Sequence, residues 1–170
     1  VQTFGKVPID VNAFGIDLLS FSGHKIYGPK GVAGLFIRKG TRMAAVQHGG
    51  DHERRRRAGT ENVAGLVGLG KAIENRGRDM AGEAERLTGL RDRLWEGIRA
   101  RVEEVRLNGH PTLRLPGTCN MCFRNVESES IVLGLDLKGI ATSAGSACTS
   151  GSVEPSYVLV AMGLPLDWAM

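Results

Sequence analysis

The chain of 170 residues carries 22 basic and 18 acidic side chains, a formal net charge of +4, with 42% apolar and 24% charged residues. This is the composition of a globular protein with a real core, long enough for one domain and part of another. It argues against a membrane span, against a disulfide framework (three cysteines is an odd number) and, with aromatics at 5% and the charge so weak, against a nucleic-acid surface.

In chain order, Val7 to Val11 reads as a short extended segment and Ile16 to Phe21 as a compact buried strand. Val32 to Arg38 is a second strand with apolar residues on both faces. About ten residues and no helix separate the two, so antiparallel pairing is expected. Residues 48 to 59 form a polar loop. Thr60 then reads as the N-cap of a helix running to about Glu74, with Val63, Leu66, Val67 and Ile73 at helical spacing. Asn75 to Arg78 reads as a break and a domain boundary, dividing 1–77 from 78–170. A long amphipathic helix follows, its stripe running through Met80, Ala84, Leu87, Leu94, Ile98 and Val105. Thr118 to Val126 is expected as a strand and Glu127 to Leu137 as a helix closed by Gly139. Ile140 to Thr142 is expected as a strand running into the small-residue stretch 143–152, and Pro155 begins a helix that Gly163 ends. The chain opens on Val1 and stops at Met170 where a new helix begins, which reads as a piece cut from a longer protein.

Three stretches carry chemistry. Lys25 follows the apolar run Ile16, Leu18, Leu19, Phe21 and precedes the turn pair Gly28-Pro29. A lysine at the end of a buried strand favours its neutral amine, a nucleophile able to condense with the aldehyde of pyridoxal phosphate, and Ser22 and His24 could bind the phosphate from the same turn; a surface loop with a solvated lysine is the plainer reading of this stretch taken alone. Cys148 sits on a stretch of small residues, the setting of a displayed nucleophile or sulfur carrier. Arg54 to Arg57, four consecutive arginines, is a solvated basic loop by default and an anion site next, with a helix N-terminus nearby.

Other patterns are discounted. Cys119 and Cys122 spell C-x-x-C, but a strand would set them on opposite faces, and no second ligand pair exists for zinc. No metal site is expected. Gly65 to Ala72 nearly spells a phosphate-binding loop, yet Ala72 replaces the magnesium-binding hydroxyl and the segment lies in a helix. His48 and His52 read as polar loop residues.

Taken together, three stretches resemble the cysteine desulfurases of the class V aminotransferase superfamily. They are Ser22-Gly-His-Lys-Ile-Tyr-Gly-Pro-Lys-Gly31, His48-Gly-Gly with Arg57-Ala-Gly-Thr-Glu-Asn-Val63, and Ser143-Ala-Gly-Ser-Ala-Cys-Thr-Ser-Gly-Ser-Val-Glu-Pro155. They stand in family order, and the resemblance spans essentially the whole chain. It implies an α/β fold that is part of a fold-type-I pyridoxal-phosphate transferase: the end of the large-domain sheet over 1–77 and most of an α+β small domain over 78–170. It implies pyridoxal 5'-phosphate as cofactor, Lys25 as the lysine that bonds it and moves protons at the substrate α-carbon, and Ser22 and His24 on its phosphate. Gln2 matches the glutamine that meets its phenolic oxygen, and Thr60 the threonine that reaches the phosphate of the other subunit of a homodimer. Cys148 would take sulfur from L-cysteine as a persulfide, release alanine, and pass the sulfur to an iron–sulfur scaffold or other acceptor in the cytoplasm. Asp51, His52, Arg55 and Ala58 depart from the family's glycine-rich loop. The acidic partner of the pyridine nitrogen and the substrate-carboxylate arginine are expected outside Val1 to Met170. Two other readings stay open: a selenocysteine lyase or another class V member with the same lysine, and a non-catalytic remnant that binds a partner.

Overall fold

A computed structural model describes residues 2–144 and 155–169. The Cys148 stretch, 145–154, lies outside the described residues. The chain divides into two compact units, Val1–Leu87 and Thr88–Met170.

In the first unit, β1 (Leu18–Ser22) and β2 (Ala33–Ile37) pair antiparallel, as the short spacing predicts, in the register Leu18 with Ile37 to Ser22 with Ala33. Between them the chain does not run on as a strand. It folds into a 3₁₀ turn, Gly23–Ile26, closed by Tyr27 in the left-handed region (φ 64°) with its N–H on the Gly23 carbonyl. Ile26 points inward and is 1% exposed, packed with Val32 and with Leu69 and Ala72 of α1 (Val63–Arg78). Phe4 and Phe21 stack at 4.1 Å between ring centres against this cluster, which ties the first residues to β1. The extended segment expected at Val7 to Val11 forms no strand; residues 11 to 15 are a turn. Arg38, just past β2, holds that turn: its guanidinium donates to Asp17 Oδ1, Asn12 Oδ1 and the carbonyls of Val11 and Ile16.

The N-cap of α1 is Asn62, not Thr60. Its side chain accepts from Gly65 N at 3.0 Å, satisfying one of the first-turn N–H groups that a helix leaves unpaired. The helix also runs through the expected break at Asn75 to Arg78. Arg76 explains this, because its guanidinium donates to the Gly5 carbonyl at 2.9 and 3.0 Å and anchors the last turn to the chain start. Then α2 (Met80–Arg99) follows, and the division between the two units falls within it.

In the second unit, β3 (Val105–Leu107) pairs antiparallel with β4 (Met121–Phe123). Val105 therefore leaves the helical stripe on which its spacing placed it. Helix α3 (Ser128–Asp136) is followed by Gly139 at φ +74°, and α4 (Tyr157–Ala161) by Gly163 at φ +83°, the left-handed stops glycine supplies. Ile140 to Thr142, expected as a strand, has no regular structure. Cys122 and Leu164 form a small core with Leu159 and with Trp168 of α5 (Leu166–Ala169). Arg124 bridges Glu104 and Asp167 around it.

Candidate active site

The turn after β1 decides how Lys25 is presented. Gly23 N–H bonds the Val32 carbonyl and Gly28 N–H the Gly23 carbonyl, both at 2.9 Å, so the turn is pinned to the entry of β2. A Cβ at Gly28 would lie 3.0 Å from the Gly23 carbonyl oxygen and 3.1 Å from Ala72 Cβ, closeness that only glycine accommodates without displacement. With Ile26 locked inward, its neighbours His24 and Lys25 face solvent and both are exposed. This corrects the expectation of a lysine at the end of a buried strand: burial is taken by Ile26, not by Lys25.

Ser22 Oγ and His24 Nδ1 are 2.8 Å apart. A neutral imidazole has one N–H and one acceptor nitrogen, so whichever of the two side chains donates, the pair keeps one donor free: His24 Nε2–H or the Ser22 hydroxyl. Behind the turn stands a residue that sequence reasoning missed. Burial, then the charges of Lys25 and Arg76, push the Lys6 ammonium below the ordinary lysine value. Arg76 also sits 5.5 Å from the centre of the exposed Tyr27 ring. The Arg76 guanidinium is committed to the Gly5 carbonyl and faces Glu83 Oε1 at 3.9 Å, which leaves Lys6 and Lys25 as the cations suited to an anionic group such as a phosphate. Nothing in the sequence pattern singled out Lys6, because its setting is made by Arg76, 70 positions on.

Gln2 is exposed at the start of the described chain. Thr60 is exposed on a different loop, two residues before the α1 cap, and the structure does not join it to the Lys25 turn. That loop makes a left-handed turn through Glu53, Arg54 and Arg55 (φ 48°, 58° and 64°). Arg55 pairs with Asp51 at 3.1 Å, Arg57 with Glu53 at 3.8 Å, and His52 Nδ1 with Glu61 Oε1 at 3.0 Å. Two arginines of the basic run are thus spent on neighbouring carboxylates. Of the C-x-x-C pair, Cys122 is buried and receives Asn108 Nδ2 at 2.8 Å; burial raises the thiol pKa of the half-buried Cys119. Among the described residues no three His, Cys, Asp or Glu side chains group as a metal site, and no helix is long and apolar enough to cross a membrane.

Comparison with known proteins agrees with this reading of the fold. The chain is 53% identical over 169 residues to the cysteine desulfurase IscS of Dictyoglomus turgidum, covering 99% of this chain and 43% of that protein. It is 53% identical to the IscS of Methanosarcina thermophila over 165 residues, 97% and 41% of the two. Among solved structures, a NifS-like protein from Rickettsia africae superposes with a TM-score of 0.87 at 30% identity over 99% of this chain and 44% of its own. The protein SspA in complex with cysteine matches at 0.71 and 33%, covering 99% and 46%. The chain thus spans less than half the length of these relatives, and its α/β architecture is part of the fold-type-I transferase fold they share. The aminotransferase class-V family matches residues 1–164, and the chain belongs to that family.

Proposed function

We propose that the protein bearing this chain is a cysteine desulfurase, removing sulfur from L-cysteine to give L-alanine and a persulfide on Cys148. The observation that carries this is the 3₁₀ turn after β1, which displays Lys25 next to a Ser22–His24 pair with a donor to spare. Identity of about half the residues to named cysteine desulfurases supports the substrate, as does the cysteine bound by SspA.

Cysteine desulfurases and class V aminotransferases are pyridoxal-phosphate enzymes, and the residues present fit that cofactor. Ser22 and His24 would hold its phosphate through their free donor, with Lys6 supplying positive charge near Lys25, and Gln2 would meet its phenolic oxygen. When bound, the cofactor supplies an electron sink that loosens the bonds at the substrate α-carbon. Lys25, exposed on a turn whose backbone is fixed, would move the proton at that carbon once its amine is unprotonated. Cys148 supplies the thiolate: its sulfur bonds the substrate sulfur, the substrate carbon–sulfur bond breaks, and the carbon keeps the electron pair and is protonated to give alanine. Residues 1–77 would end the cofactor domain and 78–170 make up most of the small domain. A homodimer, in which Thr60 serves the phosphate of the second copy, and transfer of the sulfur to an iron–sulfur scaffold or other acceptor in the cytoplasm complete the reading.

The test is sulfide release from L-cysteine by the protein expressed from its complete reading frame. Release is expected in the wild type and is lost in both Cys148→Ser and Lys25→Ala. Release that survives Cys148→Ser would overturn the assignment.

A further inference from the structure

The Thr60 loop contains a feature that its sequence did not announce. Glu53, Arg54 and Arg55 take left-handed backbone angles in succession, a conformation that costs each non-glycine residue about 1 kcal/mol and persists only where the surroundings hold it. The holding contacts lie at the base of the loop. Ala58 N–H bonds the Gln47 carbonyl at 3.1 Å, and Arg57 Nη1 donates to the carbonyls of Ala58 and Gly59. On the far side, Asn62 is fixed as the cap of α1. Between these ties stand Thr60 and Glu61, and the side-chain contact that spans the loop to reach them is His52 Nδ1 to Glu61 Oε1 at 3.0 Å. The imidazole is seated: a Cβ at Gly50 would come within 3.1 Å of its Cδ2 and Nε2, so the ring lies against the Gly50 backbone. Glu61 is held ionised, its carboxyl pushed below the usual range by its own backbone N–H and then by His52. A carboxylate only accepts, so His52 Nδ1 must carry the proton and donate.

We propose that His52 is a positioning residue for Thr60: through its hydrogen bond to Glu61 it fixes the segment 59–61 and so sets where the Thr60 hydroxyl meets the cofactor phosphate. This rests on the cofactor reading given above. Arg55–Asp51 closes the strained turn on itself, whereas His52–Glu61 reaches the phosphate-binding residue's neighbour, so only the second bears on the ligand.

The test is the equilibrium dissociation constant for pyridoxal phosphate, measured by fluorescence titration of the protein from its complete reading frame, with the thermal midpoint recorded for each variant. His52→Ala is expected to weaken binding about fivefold, the size of one net hydrogen bond, with the fold retained and the midpoint lowered by no more than about 4 °C. His52→Asn, whose amide nitrogen stands close to the place of Nδ1 and can donate to Glu61, is expected to restore binding to within about twofold of wild type on the same scale. Adding His52→Ala to Glu61→Ala is expected to cost nothing beyond Glu61→Ala alone, because the ring acts only through that carboxylate. Wild-type affinity in His52→Ala, no rescue by His52→Asn, or additive losses in the double variant would each overturn the proposal. If the wild type itself does not bind the cofactor, the cofactor reading has failed and this inference falls with it.

Discussion

Arg38 makes the most quantitative demand on the first unit. Replacing it by methionine keeps the aliphatic stem and removes the guanidinium. Four hydrogen bonds go with it: Nε to Asp17 Oδ1 at 3.0 Å, Nη1 to Asn12 Oδ1 at 2.8 Å, and Nη2 to the carbonyls of Val11 at 2.6 Å and Ile16 at 2.9 Å. The Asp17 contact counts for little, since that carboxylate is 65% exposed. Both carbonyl bonds are partly buried, but the Val11 carbonyl keeps the Ile16 N–H at 2.9 Å, so only the Ile16 carbonyl is orphaned, at about 1 kcal/mol or more. With about 0.5 kcal/mol each for the Val11 and Asn12 bonds the sum is about 2 kcal/mol, a fall in thermal midpoint of roughly 4 to 8 °C for a chain this long. Urea unfolding followed by circular dichroism reads it directly. Arg38→Lys keeps the charge but not the planar fork that serves several acceptors at once, and is expected to recover less than half of the loss. A methionine variant within about 0.5 kcal/mol of wild type would show that the turn before β1 holds itself, and would refute the role given to Arg38.

Asn62→Ala removes the α1 cap and is expected to cost about 1 kcal/mol in the same assay, with Asn62→Asp close to wild type. Lys6 gives a pH signature. Its folded pKa lies below the ordinary 10.5, so near that pH the unfolded chain binds more protons and stability climbs as pH rises from neutral toward 10.5. Lys6→Met is expected to be more stable at pH 7 and to lose that part of the climb; an unchanged pH slope would contradict it. The thiols should differ too. Cys119 is expected to react with iodoacetamide only as pH passes above the ordinary thiol range of about 8.5, and Cys122 only on unfolding, both readable by peptide mass mapping.

How legible these features were depended on how local their causes are. The β1–β2 pair was visible because two apolar runs separated by a helix-free stretch leave few pairings. The presentation of Lys25 was not, because an apolar run gives no sign of where a strand tightens into a 3₁₀ turn. That is decided by Ile26 finding its place against Leu69 and Ala72. Thr60 and Asn62 are both good caps by type, and residue type alone does not choose between them; in the fold it is Asn62 whose side chain accepts the Gly65 N–H. Asn75 to Arg78 looked like a break by propensity, and Arg76 overrode it from a distance through Gly5. Val105 and the three-residue β3 and β4 are too short for periodicity to separate strand from helix. The roles proposed for Lys25 and Cys148 were argued from neighbouring residues in the sequence, whereas the settings of Lys6 and of the His52–Glu61 pair are made by tertiary contacts.

The central claim is that Lys25 is the cofactor-bonding lysine. The most direct measurement is the visible absorbance spectrum of the protein from its complete reading frame after incubation with pyridoxal phosphate and removal of the excess. A visible band that Lys25→Ala abolishes, without loss of fold by circular dichroism, is the expected result. A spectrum without the band, or the same band in wild type and Lys25→Ala, would contradict the assignment of that lysine and the function built on it.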